Sequence, residues 1–362
     1  MTAAVITSQF SVTGVPLAQI RLANSLAQKG YSVNLIFGNA PLGTEIDALD
    51  GVAVHLWSYR RALFMLPRLI AFFRRDRPEI VFAAEDNTNA VVLLAARIAR
   101  SSAMISVSSR IAPNTVYSDT LFSRPWVFKQ FVKSVMGRAD VWTCVSKDLA
   151  EIYAEIFPGK TFHAVYNIID QEAFRTRLAE PVDHPWLQDE WANVCVTAGT
   201  LHSRKGLQYL IPAIGLLRDR GIDARLIILG DGPQADDLQR MVREHDLKDR
   251  VWFEGPVSNP LKYFLHSNVY VLASLQEGMP NVLIEGMLAG CTPVATDCPT
   301  GPREILENGK YGYLVPMRDA QALAGGIERA LERPISHERL AKALKPFHRD
   351  AVLAEHFRLL GL

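Results

Sequence analysis

Asn193-Val194-Cys195-Val196-Thr197-Ala198-Gly199-Thr200-Leu201-His202-Ser203-Arg204-Lys205-Gly206 is an apolar run that breaks at a glycine and restarts as a helical pattern. Asn193–Thr197 reads as a buried strand and Gly206–Arg220 as the helix that follows it. Glycines let the backbone come close to a phosphate, and Arg204 with Lys205 puts two adjacent cations in the turn. Strand, glycine-bearing loop and helix start are the parts of a ligand crevice in a parallel α/β sheet. The bland alternative is a loop with solvated charges, and the stretch alone does not separate the two.

The same rhythm runs outward in both directions. Ala3–Ser8, Tyr31–Phe37, Val52–Trp57, Ile80–Ala84, Met104–Ser108 and Val141–Val145 read as strands, with helices such as Val15–Lys29 between them. After the loop come strands at Ala224–Leu229, Val251–Glu254, Val269–Leu272 and Thr292–Ala295. Alternating β and α implies parallel sheets covered on both faces. The pattern weakens from Asp170 to Trp191, where Pro181, Asp183, Pro185 and Trp186 suggest a linker. The expectation is therefore α/β with two doubly wound Rossmann-like domains facing across a cleft. Residues 1–180 form the first and 190–345 the second, and the closing helix within 346–362 packs back on the first.

A chain of 362 residues, 49% apolar and with a net charge of +1, suits two medium domains. Cys144, Cys195, Cys291 and Cys298 form no C-x-x-C pair and read as reduced thiols. The first residues lack a basic segment with a long apolar run, and no stretch reaches a membrane span, so a cytoplasmic location is expected. Charge is uneven: residues 51–147 hold fourteen Lys and Arg against six Asp and Glu. A basic N-terminal half could face anionic lipid or an anionic acceptor. Near-neutral total charge without an aromatic-basic module argues against a nucleic-acid partner.

Further motifs join the first. Glu277-Gly278-Met279-Pro280-Asn281-Val282-Leu283-Ile284-Glu285 sets two acids eight residues apart around a helix start, with Asn281 expected as the N-cap. Free amides there favour an anion, while the bland alternative is two solvated acids. Gly230-Asp231-Gly232-Pro233 reads best as a plain β-to-α turn. Ser11-Val12-Thr13-Gly14-Val15 joins the first strand to the first helix, where a doubly wound domain shows amides to a ligand. Arg60–Arg77 mixes arginines with Phe64, Met65, Leu66, Leu69, Ile70, Phe72 and Phe73; it suits either a membrane surface or a helix packed on the sheet. His163 reads as structural, and His202 is open. No D-x-D pair, zinc spacing, P-loop or G-x-S-x-G elbow is present.

The ordered set of Gly199…Arg204-Lys205-Gly206, Gly230-Asp231-Gly232-Pro233, Glu254-Gly255, Glu277…Glu285 and Asp297-Cys298-Pro299-Thr300-Gly301-Pro302-Arg303-Glu304-Ile305-Leu306 resembles retaining glycosyltransferase family 4, of GT-B fold. Ala139-Asp140…Ser146 and Tyr166-Asn167…Asp170 match its domain-junction pattern, and Cys298–Leu306 is similar to bacterial enzymes of surface-polysaccharide, lipopolysaccharide and glycolipid synthesis. The resemblance implies a metal-independent enzyme without cofactor that moves a hexosyl or N-acetylhexosaminyl unit, with retention, from a nucleotide-diphosphate sugar, expected to be a UDP-sugar, to a glycan or lipid-linked acceptor. The membrane reading of the basic 60–77 segment, one of the two left open above, would place the enzyme peripherally on the cytoplasmic face of the inner membrane.

By position, Arg204 and Lys205 bind the donor diphosphate, Glu285 the ribose hydroxyls, and Glu277 the donor sugar. The Gly278-Met279-Pro280-Asn281-Val282 segment supports sugar and phosphate, and the Gly14 loop closes over the diphosphate. Two places depart from the pattern: Thr200 stands where many members have Arg, and Arg110 where many have a histidine. Arg110 therefore puts a cation near diphosphate or acceptor. A sugar-nucleotide epimerase or sugar phosphorylase on the same fold is the alternative, and a non-catalytic nucleotide-binding protein a further one.

Overall fold

The computed structural model describes residues 1–11, 14–41, 46, 50–113, 116–169, 171–188 and 193–362, with the backbone alone at 171–173 and 175. Its contacts divide the chain into Met1–Ile169 with Phe347–Leu362, and Asp170–Pro346. Val12 and Thr13 of the first loop, and Asp170 of the junction motif, lie outside the described residues.

The first unit holds a seven-stranded sheet of β1 (Thr2–Thr7), β2 (Ser32–Phe37), β3 (Val52–Leu56), β4 (Ile80–Ala84), β5 (Met104–Ser109), β6 (Val141–Cys144) and β7 (His163–Ala164) in the order β3-β2-β1-β4-β5-β6-β7. The second holds β8 (Asn193–Ala198), β9 (Ala224–Leu229), β10 (Val251–Gly255), β11 (Val269–Leu272), β12 (Thr292–Thr296) and β13 (Tyr313–Val315) in the order β10-β9-β8-β11-β12-β13. Neighbouring strands pair in parallel throughout. Parallel strands buried on both faces need apolar side chains on both, and the central β1, β4, β8 and β11 are almost wholly buried. In each sheet the order reverses between the first strand and its later neighbour, β1 beside β4 and β8 beside β11. Ligand crevices open outside the carboxyl ends of strands at such points.

The strand readings hold to within a residue or so. Two local expectations change. The stretch 171–178, which the sequence placed in the first domain or its linker, is a helix, Gln171–Leu178, of the second unit. It is tied there by Arg177 Nη2 donating to Ser258 O (2.7 Å) and Asn259 Nδ2 donating to Arg177 O (2.6 Å). Asn281 is not an N-cap: Pro280 caps at ψ 87°, and Asn281 is the first helical residue of Asn281–Leu288. The 60–77 segment, for which the sequence left two readings open, packs one face into the core through Met65, Leu69, Phe72 and Phe73, with Pro67 in the first turn of Leu66–Arg75 and its arginines on the exposed face. Leu63 and Phe64 remain 57% exposed.

The closing helix, Arg349–Leu360, packs on the first unit. Tyr31 stacks on Phe357 (5.7 Å), His356 meets the edge of Phe82 (5.1 Å) and Lys29 pairs with Asp350 (3.1 Å).

Candidate active site

In the second unit the switch point is built from the turns after β8 and β11. Leaving β8, the chain passes Gly199 at φ 147° and reaches Ser203–Lys205, a single 3₁₀ turn that ends at Gly206 with φ 67°. A Cβ at Gly206 would lie 2.0 Å from the carbonyl oxygen of Ala273, so only glycine lets this turn lie against the end of β11. Leu275 N–H donates to Arg204 O (2.7 Å) and closes the contact. Gly230 and Gly232 do the same from β9: their missing side chains make room for the backbone of Gly199 and Leu201. This second glycine motif is thus a supporting turn, as its sequence suggests. His202 is likewise settled, since its ring nitrogen caps the 3₁₀ turn by accepting from Arg204 N–H.

Ala198, Gly199, Thr200, Leu201, Lys205 and Ser274 line a small pocket at this point. Lys205 Nζ reaches Glu277 Oε1 at 2.6 Å, and Ser274 Oγ donates to the same oxygen at 2.6 Å. The ion pair is largely withdrawn from water, with side chains 18% and 13% exposed. Arg204 is exposed beside it, as is Thr200.

From Glu277 the chain runs through Gly278-Met279-Pro280 into the helix. The Thr300 hydroxyl donates to Glu277 O, and Gly301, at φ 94°, packs so closely that a Cβ would fall 2.5 Å from Pro280 Cδ. The Cys298–Gly301 loop thereby braces the segment from behind, and the Cys298 thiol is pushed up to about 12 by burial and by the Glu277 charge. Glu285 faces inward at 8% exposure. Its neighbour Gly286 seats the helix on β11, since a Cβ there would strike the Tyr270 ring at 2.6 Å. Burial, with the charges of Glu277 and Glu285, drives the Tyr270 phenol well above its ordinary value, so it stays neutral.

The second unit therefore gathers Lys205, Glu277, Thr200 and the Gly278–Val282 segment, with Arg204 on the rim and Glu285 on the same helix. Gly14 and Arg110 stand in the first unit. Gly14, at φ 64°, is the first residue of the Gly14–Gln28 helix, whose first turn carries no acid. Arg110 follows β5 and donates to Asn167 Oδ1, while burial lowers its guanidinium to about 10.

Three further residues escaped the sequence reading. Ser274, two residues past β11, belongs to none of the sequence motifs. Asp86 is buried and takes hydrogen bonds from Ser109 Oγ and Tyr153 Oη, both at 2.6 Å; burial raises its carboxyl against those donors. Tyr153 Oη also donates to Ile111 O (3.2 Å), so the Asp86 network holds the turn that carries Arg110. Glu85, between β4 and the Asp86–Ala99 helix, accepts from Ser8. Two adjacent acids at the end of an apolar strand were the one signal available.

Residues 12–173 match the family model described as Glycosyltransferase Family 4, and residues 192–333 that described as Glycosyl transferases group 1. An uncharacterized glycosyltransferase of Methanocaldococcus jannaschii is 29% identical over 285 residues, spanning 72% of this chain and 68% of that one. The N-acetylgalactosamine-N,N'-diacetylbacillosaminyl-diphospho-undecaprenol 4-alpha-N-acetylgalactosaminyltransferase of Campylobacter jejuni is 28% identical over 269 residues, 74% of this chain and 69% of that one. Among solved structures, Anabaena HepE in complex with UDP has a TM-score of 0.82 over the full length of both chains at 17% identity. With both family models matching in register with its two parallel-sheet units, the chain belongs to glycosyltransferase family 4 and has the GT-B fold.

Proposed function

We propose that the protein transfers a hexosyl or N-acetylhexosaminyl unit from a UDP-sugar, with retention, to a hydroxyl of a glycan or lipid-linked acceptor in cell-surface polysaccharide, lipopolysaccharide or glycolipid synthesis. The carrying observation is the Lys205–Glu277–Ser274 cluster at the β8/β11 switch point, continuous with the start of the Asn281–Leu288 helix. As the bond from anomeric carbon to diphosphate lengthens, negative charge gathers on the leaving oxygen and positive charge on the sugar. Lys205 gives one of its three N–H bonds to Glu277 and has two for a phosphate; Arg204 and the helix-start amides add to that field. Both bonds to Glu277 go to Oε1, which leaves Oε2 for a sugar hydroxyl or for the charge growing at the anomeric carbon. The leaving phosphate oxygen takes the acceptor proton on the face where the new bond forms, giving retention without an enzyme nucleophile.

The donor reading draws support from a structural neighbour solved with UDP, and the acceptor reading from a relative named for transfer to a diphospho-undecaprenol-linked sugar. Residues of the first unit, Arg110 among them, are assigned to the acceptor side. Exposed Leu63 and Phe64 beside Arg60, Arg61 and Arg68 supply a contact for an anionic membrane surface. No described helix is long and apolar enough to cross a membrane. The test is a thermal-shift screen of UDP-, GDP- and ADP-sugars followed by nucleotide-release assays with and without EDTA. A UDP-sugar should raise the melting point and release UDP in both conditions. No shift and no release with any UDP-sugar refutes the donor assignment, and isomerised donor points to an epimerase.

A further inference from the structure

We infer that Glu85 is an acceptor-binding residue, whose anchored carboxylate takes the hydrogen bond of a sugar hydroxyl on the acceptor. The inference rests on the first unit's holding the acceptor, as proposed above. Glu85 stands directly after β4 and beside the end of β1, where the order of the first sheet reverses. That is the place where an open parallel sheet receives a ligand.

Its backbone is at φ 76°, ψ 130°, a conformation that suits glycine and that other residues rarely hold. The neighbours impose it: Glu85 N–H donates to Ser108 O (3.1 Å), and Asn89 N–H donates to Glu85 O (2.8 Å). A structural turn here would be better served by glycine, so a glutamate held in this backbone has its side chain as the reason.

The side chain is anchored lopsidedly. Thr7 Oγ1 (3.4 Å), Ser8 N–H (3.2 Å) and Ser8 Oγ all donate to Oε2. Oε1 has no hydrogen-bond partner among the described residues, and Glu85 is half-exposed. Asp86 next to it is the contrast: it is buried, with both oxygens taken by Ser109 and Tyr153. A fixed carboxylate with one open oxygen accepts and never donates, so it suits a neutral hydroxyl and repels an anion. The Arg110 guanidinium, bonded to Asn167, is close enough to feel the Glu85 charge.

Glu85→Gln tests the assignment, because its amide oxygen can still take the Thr7 and Ser8 donors while the outward group becomes an NH2 that cannot accept. The probes are aryl α- and β-hexosides and N-acetylhexosaminides as acceptors, with the UDP-sugar that stabilises the wild type. The expected result is a rise in acceptor KM of about 10- to 100-fold, the strength of a hydrogen bond to an ionised group. Acceptor-free hydrolysis of the donor and the melting point should stay near wild type, and Glu85→Asp should recover part of the loss. An unchanged acceptor KM overturns the inference. So does a parallel fall in hydrolysis and transfer, which marks a structural role, and so does a wild type that hydrolyses donor yet uses none of the glycosides. Absence of any UDP-sugar binding by the wild type is seen before a variant is made; it refutes the donor reading and takes this inference with it.

Discussion

Replacing Lys205 by Met and Glu277 by Gln, singly and together, separates what the ion pair does for folding from what it does for transfer. At 2.6 Å and with side chains 18% and 13% exposed, the pair is too buried for water to screen it as on a surface. Removing the ammonium leaves Glu277 with Ser274 alone, and a buried charged group that loses its partner costs about 1–3 kcal/mol or more. Lys205→Met should then lower the melting point of the second unit by about 4–8 °C, taking about 2 kcal/mol at about 2–4 °C each. Glu277→Gln should cost less, because its amide oxygen still accepts from Lys205. In the double variant no charge is left unpaired, so the cycle should show about 1–2 kcal/mol of coupling. Transfer behaves differently. Each single change removes a group that meets charge only in the transition state, worth about 10²- to 10³-fold in kcat, and the double variant should be no better. Calorimetry and UDP release measure the two sides. Additive stabilities would refute the coupling, and recovered turnover in the double variant would show the pair to be a strut and not part of the donor site.

Gly206→Ala would place its Cβ 2.0 Å from Ala273 O on a backbone at φ 67°, and we expect a loss above about 2 kcal/mol together with lost UDP-sugar binding; a normal melting curve would contradict the close approach. Burial, reinforced by Arg110 and opposed by Glu355, holds His356 down to about 3, so the native imidazole stays neutral where the unfolded one, at its ordinary 6.5, takes a proton. Its contribution to stability is full above pH 6.5 and falls by about 1.4 kcal/mol per pH unit towards pH 3, so His356→Gln should flatten the acid limb of a melting-point titration; an identical slope would refute this. Leu63→Asp with Phe64→Asp should reduce sedimentation with phosphatidylglycerol vesicles several-fold and leave hydrolysis of the donor unchanged. Equal binding to phosphatidylcholine would remove the electrostatic part of the membrane contact.

The two halves of the fold were legible in the sequence to different depths, and the reason is local. β1, β4, β8 and β11 are buried on both faces, so their apolar runs end within a residue or so of the strands themselves. β7 and β13, two and three residues long, leave no pattern to read. Asn281 has the right chemistry for a cap, but the Pro280 backbone and the brace from Gly301 start the helix one residue earlier. The second unit's candidate site was readable because two continuous loops, 199–206 and 274–285, carry it, and each keeps its glycines and charges in a fixed local order.

The first unit's proposed site is assembled differently. Ser8, Glu85, Ser108, Arg110, Tyr153 and Asn167 come from separate crossovers, and the sheet order alone makes them neighbours. No residue type announces a φ of 76° at Glu85, because that backbone is held between a bond to Ser108 on the next strand and the first helical bond from Asn89. It follows that changes of substrate should divide between the units. A change in the donor's phosphate region must keep the spacing of two loops and should be rare. A change in acceptor needs only one side chain on one crossover, and swapping the residue at 85 should alter acceptor choice among the aryl glycosides while UDP affinity holds. Variants at 85 that shift UDP affinity as much as acceptor preference would refute that division.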